Sequence, residues 1–98
     1  MGEQNRELPI PDASRANREA YEVVRVWVGK KQDVSLRAAV WEDPAAWGIL
    51  LCDLAKHIAA SYVEPGGRSK AETLRRIRLG FEAEMSSPTD EPSGGVVK

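Results

Sequence analysis

One cysteine, one histidine and one phenylalanine stand in a chain of 98 residues. No apolar run approaches the length of a membrane span. The lone Cys52 rules out an intrachain disulfide and fits a reducing compartment. A single cysteine and a single histidine, Cys52 and His57, do not make a zinc site, and no Asp-rich loop suggests a hard-cation site. No metal and no cofactor are therefore expected. Phosphate-loop, dinucleotide and serine-elbow patterns are missing too. A formal net charge of −1 excludes a strong global field toward nucleic acid or a membrane. The opening Met-Gly-Glu-Gln-Asn-Arg-Glu holds no apolar signal segment. The expectation is a cytoplasmic, non-enzymatic protein with no membrane partner.

What is present suits one small domain. Residues 1–19 are polar, carry Leu8-Pro9-Ile10-Pro11, and read as an arm, extended or disordered, with weak support for a short helix from Asp12. Residues 20–85 read as the folded domain. Residues 86–98, with Pro88, Pro92 and Gly94-Gly95, read as a disordered tail. A core this small stabilises a fold only marginally, and oligomerisation is one common remedy.

Residues 20–28, Ala-Tyr-Glu-Val-Val-Arg-Val-Trp-Val, are dense in β-branched and aromatic types and predict a strand ending at Gly29. Residues 33–41 alternate Val34, Leu36, Ala38 and Val40 with polar or aromatic positions and predict a second. The short link between them predicts an antiparallel hairpin. Keeping Val24, Val26 and Val28 opposite the Val34 face leaves two registers, with either Val28 or Val26 opposite Val34. A two-stranded hairpin is marginal alone, so an added strand, from the arm or from a second copy, is a natural extension.

Asp43 as N-cap and Pro44 at the first position predict a helix over 43–63, with Trp47, Leu50, Leu51, Leu54, Ile58 and Tyr62 as its apolar stripe. Glu64-Pro65-Gly66-Gly67 ends it. Ser69-Lys70-Ala71-Glu72 fits a capping box, opening a second helix striped by Leu74, Ile77, Phe81 and Met85. The fold class that follows is α+β: an antiparallel β-hairpin packed against two C-terminal helices. Trp47, Leu50, Leu51, Leu54, Ile58, Leu74, Ile77 and Phe81 are expected to meet Val24, Val26, Val28, Val34 and Leu36 in the core.

Strand parity puts Arg25, Trp27, Arg37 and Trp41 on the second face of the hairpin, with Tyr21. Arginine beside aromatics suits a face covered by the arm, then a protein interface, then a surface that stacks bases and holds phosphates. Two arginines close across a hairpin need a carboxylate partner, from this chain or another. Asp53 and His57, one helical turn apart, could orient a general base, but read first as a solvated surface pair. Cys52 reads as small core filler, Gly66-Gly67 as a connector, and the arginines of residues 68–78 as a solvated, ion-paired helix face. The functional expectation is a non-catalytic interaction or self-associating module. Nucleic-acid or anion binding through Arg25, Arg37 and Trp27 is the alternative.

The segments Val24-Val-Arg-Val-Trp-Val-Gly, Val34-Ser-Leu-Arg, Trp41 through Tyr62, and Ile77-Arg-Leu-Gly-Phe-Glu-Ala-Glu together resemble a family of short bacterial proteins known only as a domain of unknown function. Trp41-Glu-Asp-Pro-Ala-Ala-Trp-Gly48 is the specific portion. The resemblance implies an α+β domain, often encoded alone, and supplies no activity or catalytic residue.

Overall fold

The computed structural model describes residues 6–87 and 95–97. In chain order these form α1 (Asp12–Ala16), β1 (Val24–Val28), β2 (Gln32–Arg37), α2 (Ala45–Ser61), α3 (Lys70–Ser86) and β3 (Gly95–Val97). The class is α+β, with an antiparallel hairpin followed by two helices, as the pattern predicts. Two units result: the chain up to Ala38 with the C-terminal strand, and the helical segment that starts at Ala39.

In the sheet unit the strand order is β1-β2-β3. Val24 faces Leu36, Val26 faces Val34 and Val28 faces Gln32. Of the two registers compatible with the valine pattern, this one leaves Gly29-Lys30-Lys31 as the turn, where the Gly29 amide donates to the Lys31 carbonyl at 3.1 Å. The strand extending the hairpin comes from Gly95–Val97, running parallel to β2 opposite Ser35, Leu36 and Arg37. It comes neither from the arm nor from a second copy. Of the tail predicted over residues 86–98, Ser86 is the last residue of α3 and Ser87 its C-cap; the remainder beside β3 falls on residues 88–94 and 98, and the start of the predicted arm on residues 1–5. These lie outside the described residues.

The second strand is shorter than its alternation suggests. Ala39 has a φ of 53°, a left-handed conformation that ends period-2 geometry two residues past Arg37. Beyond that point parity no longer says where a side chain points.

In the helical unit, Pro44 has helical dihedrals and the Asp43 carboxylate accepts the Ala45 amide at 2.9 Å. The start signal therefore acts as read. Ser69 Oγ accepts the Glu72 amide at 3.1 Å. Only that half of the capping box forms, because the Glu72 carboxylate turns forward to Arg75. Between the helices, the Gly67 amide donates to the Val63 carbonyl at 2.7 Å and the Arg68 amide to the Tyr62 carbonyl at 3.1 Å.

α2 and α3 pack on each other. Ala59 is the buried apolar residue among those described, and Thr73 the buried polar one, with its hydroxyl on the Ser69 carbonyl at 2.8 Å. This corrects the expected core. Trp47, Leu50, Leu74, Ile77, Val24, Val34 and Leu36 are half-buried, whereas Leu51, Leu54, Ile58, Phe81, Val26 and Val28 are exposed. At 100° per residue, the Leu51–Leu54–Ile58 stripe lies about a quarter-turn or more around α2 from Ala59. Small side chains occupy the buried positions, so the large stripe is left beside them. Cys52 is likewise exposed rather than core filler. Among the described residues no helix is long and apolar enough to cross a membrane.

Candidate interaction face

The register that keeps valines on one face of the hairpin places Arg25, Trp27 and Arg37 together on the other. Arg25 is the anchor of this face. Its Nε and Nη2 donate to the two carboxylate oxygens of Glu22 at 3.1 and 2.9 Å, a bidentate fork, and Nη1 donates to Glu7 at 2.8 Å. The guanidinium is held more firmly in its charged form than usual. The Glu22 hydrogen bonds contribute most and its charge next; desolvation opposes them, and the charge and hydrogen bond of Glu7 add the smallest contributions. The carboxylates that answer Arg25 thus come from this chain. Glu7 is supplied by the arm, a long-range pairing no local pattern announces.

Arg37 is held differently. Its Nε donates to the Glu22 backbone carbonyl at 3.1 Å. Its guanidinium carbon lies 5.0 Å from the centre of the Tyr21 ring, within cation–π range. No carboxylate pairs with Arg37 among the described residues. A cavity of about 250 Å³ opens here, lined among others by Glu22, Arg25, Trp27, Ser35 and Arg37. Trp27 is half-buried and Tyr21 stays exposed. The result is one neutralised arginine, one arginine whose Nη groups are uncommitted, and two aromatic rings.

Trp41 lies past the end of β2. It belongs to the helical unit, where its ring meets Trp47 edge-on, 5.1 Å between centroids at 74°. The turn at Ala39 removes it from the strand whose parity had assigned it to the face. Asp53 and His57 are both exposed on α2, and no hydrogen bond or ion pair joins them among the described residues. Nor do three His, Cys, Asp or Glu side chains gather anywhere among those residues.

A family pattern described as Domain of unknown function (DUF5076) matches residues 7–89. The chain belongs to this family. The match runs from Glu7, which pairs with Arg25, to just past the end of α3, and so spans β1, β2, α2 and α3 but not β3. Among curated proteins none matches. A solved structure from the photosynthetic bacterium Rhodopseudomonas palustrus CGA009, provisionally named a pyruvate dehydrogenase, is similar at 33% identity. The similarity covers 100% of each chain, with a TM-score of 0.74.

Proposed function

We propose that this protein is a non-catalytic interaction module that works by self-association. The observation that carries the reading is apolar surface left over after each unit has folded. Val28 is 83% exposed, Phe81 52% and Leu51 50%. These belong to the same amphipathic patterns that build the strands and helices, so their exposure is not scattered surface hydrophobicity. A small unit with such stripes gains stability when a second protein surface removes them from water. Tyr21, Arg25, Trp27 and Arg37 are residue types enriched in protein interfaces. Native mass spectrometry of the protein recovered gently from its own cells tests the reading. A homodimer mass supports it, and a monomer across the whole concentration range removes it.

A second reading rests on Arg37. An uncommitted guanidinium beside Trp27 at a cavity suits an anionic ligand such as an oligonucleotide phosphate. Its affinity would fall steeply with added salt. Calorimetric titration with single-stranded oligonucleotides at low salt decides this, and no heat at low salt removes it. The provisional name of the bacterial neighbour offers an enzymatic alternative. Turnover of pyruvate, abolished by His57→Ala, would replace the interaction reading.

A further inference from the structure

We infer that the outer edge of β1 is the self-association surface, pairing antiparallel with β1 of a second copy about a two-fold axis at Val26. This rests on the self-association reading above and specifies its geometry.

β1 is an edge strand, since the order is β1-β2-β3. The Arg37 amide donates to the Val23 carbonyl at 3.0 Å, which fixes the phase of the ladder. In an antiparallel pair the bonding residues alternate. Val23, Arg25 and Trp27 therefore bond inward to β2, and the amides and carbonyls of Val24, Val26 and Val28 point outward. Among the described residues no backbone group from the arm or the loops bonds to that outer row.

Edge strands in monomeric proteins are blunted by lysine, proline, bulges or an uncancelled charge. The segment Val24-Arg-Val-Trp-Val28 has no proline, lysine or glycine. Its one charge, Arg25, is already answered by Glu22 and Glu7. The edge is thus left open to strand addition.

The sequence of β1 selects the partner. Read in either direction from Val26, the segment has valine at the second neighbour on each side, with Arg25 and Trp27 as the first neighbours. Centred on Val26, an antiparallel pair of copies engages all the outward valines. Val24 meets the partner's Val28, and Val26 meets the partner's Val26. Arg25 then falls opposite the partner's Trp27 in a non-bonded pair, where side chains approach most closely, Cα atoms about 4.5 Å apart. Such a pair gives a cation–π contact on each side of the axis. Centring on either Arg25 or Trp27 would leave one outward valine of each copy unpaired within the strand. In the Val26 register the valine faces of both copies join into one apolar surface, which includes the exposed Val26 and Val28.

The test uses the full chain in a Cys52→Ser background. Val26→Cys places two thiols at the axis, where the Cα atoms of a bonded pair lie about 5.5 Å apart, inside the disulfide window. Mild oxidation is expected to convert this variant to a covalent dimer, while Ser35→Cys, on β2 away from the edge, is not cross-linked. Val26→Pro removes only an outward amide, so the internal ladder is kept. It is expected to raise the dimer dissociation constant roughly 30-fold through the two symmetry-related bonds it deletes. Circular dichroism confirms that the variants remain folded. A wild-type dimer with an uncross-linked Val26→Cys and an unchanged constant for Val26→Pro would overturn the edge assignment and leave self-association standing. A wild type that is monomeric at every concentration would overturn both.

Discussion

The link between α2 and α3 makes a sharp demand on two adjacent glycines, and the demand differs between them. A Cβ added at Gly66 would sit 2.8 Å from the Tyr62 carbonyl oxygen and 3.7 Å from its carbon. The obstacle is backbone, and that oxygen already accepts the Arg68 amide, so the turn itself must shift. At Gly67 nothing lies within 4 Å of the added carbon, but φ is +69°. Alanine there meets only the intrinsic left-handed penalty, roughly 1 kcal/mol. Gly66→Ala adds a strained backbone to a weakened Arg68–Tyr62 bond, about 2 kcal/mol or more. Asparagine, which tolerates left-handed φ, should cost less than alanine at Gly67. The expected order of damage is Gly66→Ala, then Gly67→Ala, then Gly67→Asn. Urea unfolding followed by helical circular dichroism reads it as midpoints at constant slope. If Gly66→Ala proves no worse than Gly67→Ala, the close approach to Tyr62 is not what fixes residue 66.

Ser69→Ala removes the acceptor of the Glu72 amide and should destabilise α3 by about 1 kcal/mol, measured by the same unfolding experiment, with Ser69→Asp retaining most of the stability. Glu72 is held below the usual 4.5, first by the hydrogen bond from Arg75 and then by the charges of Arg75, Arg76 and Arg68, against a desolvation cost. A carboxylate depressed on folding contributes stability above its unfolded pKa and loses it as pH falls through the folded value. Acid titration should therefore weaken α3 below the ordinary carboxylate range, and Glu72→Gln should flatten that part of the profile. Ala39, with its φ of 53°, should accept glycine almost neutrally but lose roughly 1–2 kcal/mol as valine, again by urea midpoint.

Local chemistry made much of the fold legible. Asp43-Pro44 and Ser69 act at the helix starts where their types predict, because capping involves only residues two or three apart. Valine spacing restricted the hairpin to two registers but could not choose between them, since both keep the apolar face intact. The three-residue turn chooses. Three further features had no local signature. Gly95–Val97 is too short to show a period, and its partner is far away in sequence. Ala39 is not a residue type that announces a left-handed φ. The burial of Ala59 in place of the leucine stripe depends on which side of α2 meets α3.

The candidate face was legible to the same depth and no further. Parity alone grouped Arg25, Trp27 and Arg37, and electrostatics alone required a carboxylate near the two arginines. Which arginine receives it depends on backbone geometry. Glu22 lies just before β1, where its side chain forks onto Arg25 while its carbonyl takes Arg37 Nε. One residue thus cancels the first charge and merely orients the second. That asymmetry makes the two arginines separable by experiment. Arg25→Met should change how β1 meets a second strand, since it removes the charge Glu22 and Glu7 answer. Arg37→Met should leave dimer affinity alone and abolish any oligonucleotide binding. Equal effects of both substitutions on dimer dissociation, measured by sedimentation equilibrium, would mean that the face works as one undivided surface and that the edge of β1 has no separate role.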